Sequence, residues 1–188
     1  MSRRIGSQMG GRSVGRTSRD HYCGTFQFIS LQHHAALIYL LRDGRLPSAT
    51  ALLRPQYEAH LRGLWLLTEA TDTEFDRFAE EGTFPTTEDM TERVKGRSLA
   101  LRVVKDLTWR RMCDYTHTGL SQLCRNIGES SIGFNYAATE LEAMLHASNA
   151  LAMLSGDLLA AMTGDRALRD SFQADAIAEL RIASAAYD

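Results

Sequence analysis

The chain has 188 residues, 44% of them hydrophobic and 23% charged, with a formal net charge of −2, a balance that suits one soluble domain around a single core. No uncharged apolar run approaches the roughly 18 residues a membrane span requires, so no membrane role is expected and a cytoplasmic location is. Cys23, Cys113 and Cys124 are odd in number and form no CxxC pair; set among apolar neighbours, they predict buried free thiols in a reducing compartment, without a disulfide or structural zinc.

The charge is unevenly spread. Arg3, Arg4, Arg12, Arg16 and Arg19 against Asp20 give the first twenty residues +4 and leave −6 for the rest. Residues 1–20, rich in Arg, Gly and Ser without apolar periodicity, predict a disordered arm, and residues 21–188 a single helical domain. Tyr22 to Arg42 carries Phe26, Ile29, His33, Leu37 and Leu40 on one helical face, which places His33 inside and His34 to its side, exposed. His21, next to the arm, is expected to be mobile. After a stop at Asp43-Gly44-Arg45, Pro47 suits the first turn of a second helix running to about Ala70, with a kink at Pro55. A short helix over Thr73 to Glu81 is followed by a loop that ends in a capping signal, GTFPTTED. Leu99 to Tyr115 is helical, residues 126–135 form a long loop, and Tyr136 to Met162 makes a long helix rich in small residues. Thr163-Gly164 breaks it before a last helix from Arg166 to Ala186. Strand signals are nearly absent, which predicts an all-α fold, an antiparallel bundle of about five or six helices.

Polar groups stand out on two of these helices. Residues 50–67 are apolar on several sides, so that helix should be central, yet Arg54, Glu58 and Arg62 run along it at spacings of four. Charges removed from water must be paired, so the triad is either its own ladder or part of a polar site between helices. His146, with Asn149, Met153 and Asp157, reads as surface. The chain shows no glycine-rich phosphate loop, GxSxG elbow or HExxH, and the Glu142–His146 spacing differs from that of a di-iron helix pair, so neither metal nor cofactor is expected.

The stretch RRMCDYTHTG at 110–119 has two arginines, six and seven positions before a histidine. An arginine followed by a histidine with four to six residues between them resembles the signature of the HEPN domain, an all-helical nucleotide-binding and ribonuclease fold. Arg16–His21, Arg54–His60 and Arg110–His117 share that spacing. Arg111–His117 is preferred because Thr116, Thr118 and Gly119 are poor helix formers, so the chain can bend and return the imidazole toward the guanidinium. The resemblance implies metal-independent RNA cleavage, with His117 as base for the 2′-hydroxyl and Arg111 on the phosphate, in a homodimer that shares its sites. It departs from that family's habit in placing Met112 directly after Arg111.

A wider similarity covers residues 22–160. LLRPQYEAHLRGLWLL, CDYTHTGLSQLCR and NYAATELEAMLHASNALAML resemble an uncharacterised bacterial helical family in which an Arg-Pro-x-x-Glu helix precedes a Tyr-x-His-x-Gly segment. That resemblance implies one site formed by Arg54, Glu58, Arg62, Tyr115 and His117. The sequence reading is therefore a HEPN-like protein, a toxin-like effector in bacterial defence. His117 and Arg111 are its catalytic candidates, and Arg54, Glu58, Arg62, Arg110 and Tyr115 bind substrate or support the site. Its expected partners are RNA, a second copy of itself and an antitoxin of unknown identity. The alternative is a non-catalytic interaction or dimerisation module in which the same residues form a buried polar network.

Overall fold

Helix begins at Thr17, whose hydroxyl accepts the Asp20 amide at 3.1 Å while the Asp20 carboxylate accepts the Thr17 amide at 3.0 Å, a reciprocal cap. The resulting α1, Ser18–Arg42, is 25 residues long. The computed structural model describes residues 17–128 and 131–185, and α1 already takes in the last three residues assigned to the arm; the rest of the arm, up to residue 16, lies outside the described residues. Arg19 is an anchor rather than part of a tail. Its guanidinium donates to the carbonyls of Leu66 and Ala70 at 2.9 and 2.6 Å, pairs with Asp72 at 2.8 Å, and lies 4.7 Å from the centre of the Phe75 ring. His21 is exposed but sits within α1.

Nine helical segments follow one another among the described residues, with no strand beyond an isolated bridge between Ile127 and Ile132. After α1 come α2 (Leu46–Ala51), α3 (Leu53–Thr68), α4 (Asp72–Glu81), α5 (Thr87–Val94), α6 (Leu99–Thr116), α7 (Leu120–Cys124), α8 (Ala138–Thr163) and α9 (Arg166–Ala185). The expected count of five or six is exceeded for three local reasons, one of them the short α7 after the stop at His117. The second expected helix divides at Leu52, so that Pro55 lies in the first turn of α3, where no intrahelical N–H is needed, and there is no mid-helix kink. The capping signal at Thr86, whose hydroxyl accepts the Asp89 amide at 3.1 Å, starts a helix of its own. Gly164, at φ 76°, ends α8 in the left-handed region that favours glycine and lets α9 fold back along it.

The core is built by α1, α3 and α8, with α6 and α9 closing its sides. α8 is buried along most of its length, from Ala143 to Ala160, because its Ala, Ser and Gly residues admit neighbours closely. Gly156 is one such point, where a Cβ would stand 3.0 Å from the Phe172 ring of α9. The inner face of α1 departs from the apolar periodicity. It buries Cys23, Gln27, Ser30, Leu31, His34 and Leu37, while Phe28 and Ile29 are exposed. His34 is thus the core histidine and His33 the half-buried one, the reverse of the expectation.

The reason is polar complementarity with α3 and α8. His34 Nδ1 lies 2.9 Å from Ser148 Oγ, which donates to Gln56 Oε1 at 2.6 Å, and Gln56 Nε2 donates to the Ser148 carbonyl at 2.8 Å. One turn on, His60 Nδ1 faces Gln27 Oε1 at 2.7 Å and Ser155 Oγ at 3.2 Å, and Ser155 donates to Ser30 at 3.0 Å. Groups that look misplaced on α1 are matched across the interface, His34 through its Nδ1, which lowers the cost of burying them.

Two smaller expectations also change. Of the three free cysteines only Cys23 is buried; Cys113 is half-buried and Cys124 exposed. Burial lifts the Cys23 thiol to about 12, which makes it a poor nucleophile. His146 is not a free surface group but donates to Glu179 of α9, which also accepts from Asn149 at 3.1 Å, while Met153 is buried and Asp157 pairs with Arg169 at 3.3 Å.

Candidate functional site at the end of α6

Helix α6 opens at Ser98, whose hydroxyl accepts the Leu101 amide at 3.2 Å, and ends at His117, whose amide reaches the Cys113 carbonyl at 3.2 Å. Thr118, at φ 53°, then takes the left-handed conformation, the one positive φ outside glycine among the described residues. Asp114 secures this stop from both sides. Its carbonyl accepts the Gly119 amide at 2.7 Å, and its carboxylate accepts the Gln122 amide of α7 at 2.9 Å. Gly119 is needed for space, since a Cβ there would stand 2.0 Å from the Asp114 carboxylate.

The helix end carries His117 out to α3. Arg54 Nη1 donates to His117 Nε2 at 2.6 Å, although the two residues lie 63 positions apart. Since a guanidinium has only donors, Nε2 is the lone-pair nitrogen, and the imidazole is neutral with its proton on Nδ1. Arg54 is itself held on two more sides. Its Nε donates to Glu58 Oε1 at 2.8 Å, and its guanidinium carbon lies 5.2 Å from the centre of the Trp109 ring. The other oxygen of Glu58 takes Arg62 at 3.2 Å. Glu58 makes no bond to the imidazole, so it orients arginines rather than fixing the tautomer of His117.

With Glu58 only 17% exposed, its carboxylate is partly withdrawn from water and depends on both arginines. Glu58→Gln should cost about 1 to 2 kcal/mol in urea unfolding. A loss well under 1 kcal/mol would show the ladder to be a solvated edge feature.

On its other side His117 lines a groove of about 770 Å³ together with Arg110, Arg111, Asp106, Asp114 and Ser121. Arg110 is exposed and Arg111 half-buried. The structure therefore brings Arg54, Glu58, Arg62 and His117 into one chain of contacts, and Arg110, Arg111 and His117 into one groove. His117 is the member common to both.

Tyr115 is not brought to this site. It points inward, where its hydroxyl donates to Glu140 of α8, whose other oxygen pairs with Arg125 at 2.7 Å. Burial first, and then Glu140 as acceptor and negative neighbour, push its phenol well above the usual range. Trp109, Asp114 and the packing role of Gly119 were not foreseen. Trp109 lies on α6 about two turns before His117. Among the described residues no group of three or more His, Cys, Asp and Glu side chains is placed to hold a metal ion. No helix of the described residues is long and apolar enough to cross a membrane.

The described residues define an all-helical protein with an arginine–histidine site at a helix end. The chain belongs to the DUF6988 family, a family of unknown function, which matches residues 27–178. No curated protein and no solved structure matches it.

Proposed function

We propose that the chain is a HEPN-like, metal-independent ribonuclease acting from the groove at the end of α6. The observation that carries this reading is the position of His117, with a lone-pair Nε2 held 2.6 Å from Arg54 and its ring on the wall that Arg110 and Arg111 share. An RNA phosphate entering the groove meets Arg110 and Arg111. It also offers Arg54 a stronger, charge-assisted partner than a neutral imidazole. Transfer of Arg54 to the phosphate frees His117 Nε2 to take the 2′-hydroxyl proton. The 2′-oxygen then attacks phosphorus, and the 5′-oxygen leaves, taking a proton from water. The products are a 2′,3′-cyclic phosphate end and a 5′-hydroxyl end. Because the body of the protein is acidic, RNA affinity has to come from this local arginine cluster or from the arginine-rich first twenty residues. In this reading the protein works as a cytoplasmic homodimer, a toxin-like effector in bacterial defence under the control of an antitoxin.

Purified protein should cut a mixed RNA pool in EDTA, with the rate falling by ~10²-fold or more in His117→Ala, the usual contribution of a positioned general base. Equal background cleavage by the wild type and the variant sinks the ribonuclease reading. One observation favours the rival, a non-catalytic interaction module: Glu58 ties Arg54 to Arg62 in a partly buried ladder that clamps α3 to the end of α6. That module requires the stability loss stated for Glu58→Gln together with no cleavage.

A further inference from the structure

A second cavity lies on the opposite flank of α3, away from His117. It measures about 550 Å³ and is enclosed by α3, α6, α8 and α9, with a wall formed chiefly by Leu64, Val103, Leu154, Leu158 and Leu180. That size falls in the range of small-molecule sites, roughly 300 to 1,000 Å³. Beside Ser98, Gln173 and Ser184, two polar features stand in the apolar wall. The inner one is His60, 2% exposed, whose Nδ1 edge is committed to Gln27 Oε1 at 2.7 Å. Because that oxygen only accepts, Nδ1 carries the proton, and Nε2 is the acceptor nitrogen of this lining residue. An accepting nitrogen on a lining residue lets the cavity favour a guest that brings a donor to that end. The outer feature is a pair of exposed arginines, Arg97 and Arg181, at the mouth. Arg97 is partly engaged by Glu69 at 2.8 Å, and Arg181 has no carboxylate partner among the described residues. Asp157 also lines the cavity, but Arg169 and Gln173 hold its carboxylate at 3.3 and 3.2 Å.

We propose that this cavity binds an amphipathic organic acid, with its anionic group between Arg97 and Arg181, its apolar body along α6 and α9, and a hydroxyl or N–H at its inner end donating to His60 Nε2. The site is independent of the groove at His117 and does not rest on the ribonuclease reading. The order of groups from mouth to floor, cationic, apolar and accepting, distinguishes the proposed guest from a plain fatty acid, which has nothing to give His60. It also distinguishes the guest from a neutral lipid, which has nothing to give the arginines.

Calorimetric titration of the full chain with ω-hydroxydodecanoate, below its micelle concentration, tests this directly. One molecule should bind per chain, and dodecanoate and dodecanediol should each bind at least ~10-fold more weakly, the equivalent of one lost polar interaction of about 1.4 kcal/mol. Arg181→Ala should abolish the preference for the acid over the diol. His60→Phe should abolish the preference for the hydroxylated over the plain acid. Because His60 also belongs to the core network, Val103→Trp, which fills the cavity from α6, provides a second route: it should eliminate binding while the circular dichroism of the fold is unchanged. Absence of binding, equal binding of all three ligands, or binding undiminished in Val103→Trp each overturns the proposal.

Discussion

Gly63→Ala should destabilise the protein by about 2 to 4 kcal/mol, the reverse of what the exchange does in an exposed helix, where alanine is favoured by about 1 kcal/mol. The added Cβ would lie 2.1 Å from Gln27 Nε2, 3.0 Å from Phe26 Cβ and 3.1 Å from the Cys23 carbonyl. Gln27 is wholly buried and has no free direction in which to swing. Displacing it breaks its bond to His60 Nδ1 and its 3.3 Å bond to the His60 carbonyl, and so leaves polar groups unmatched in the core. Urea unfolding of the single variants and of the pair with Gln27→Ala tests the cause. With Gln27 already shortened, the glycine substitution should become far cheaper, and additive losses would show that the clash lies elsewhere.

Acid should weaken the fold well before its carboxylates are titrated. Burial lowers both His34 and His60 from an ordinary value of 6.5 to about 4. His34 Nδ1 is bonded to Ser148, while its Nε2 is buried without a partner, so protonation would create a cation with one dry donor. The unfolded chain takes up protons near 6.5 and the folded chain does not, so the unfolded state binds more protons between about 6.5 and 4. The contribution of both histidines is therefore complete above 6.5 and is lost as the pH falls toward 4. At up to about 1.4 kcal/mol per pH unit for each histidine, the pair should remove roughly 3 kcal/mol between neutral pH and pH 5. Glutamine at position 34 should flatten part of that slope. A stability constant over this interval would contradict neutral burial of the two rings.

The sequence disclosed what neighbours along the chain decide. The helix signals at Pro47, Thr86 and Gly164 each act within one turn, and the Arg54–Glu58–Arg62 spacing is a property of one helix. Which face of α1 turns inward was not legible, because Gln27, Ser30 and His34 are buried by polar partners on α3 and α8 that no local pattern announces. His33 and His34 differ by only about 100° around the helix, and the outcome belongs to Ser148. The contact between Arg54 and His117 came from a family resemblance, since its 63-residue separation leaves no trace in spacing. The same resemblance placed Tyr115 in that site. Helix geometry argues the other way, for residues two apart point about 200° from one another, and Tyr115 duly reaches inward to Glu140 while His117 reaches outward. Gly119 illustrates a third kind of illegibility: its negative φ of −73° gives no backbone reason for glycine, and only the neighbouring Asp114 carboxylate supplies one.

His117 holds its position because α6 stops there, through the Cys113 and Asp114 carbonyls and the left-handed turn at Thr118. The last turn of a helix is its least stable part and opens without the rest unfolding. Each such fraying event removes the imidazole from Arg54, so the Arg54–His117 contact exists only while that turn is closed, and its population is set by local rather than global stability. An anion that binds the closed form draws the same equilibrium toward order. Occupancy should then be readable far from any chemistry, as slowed amide hydrogen exchange at His117 and Gly119 with the amides of α8 unaffected.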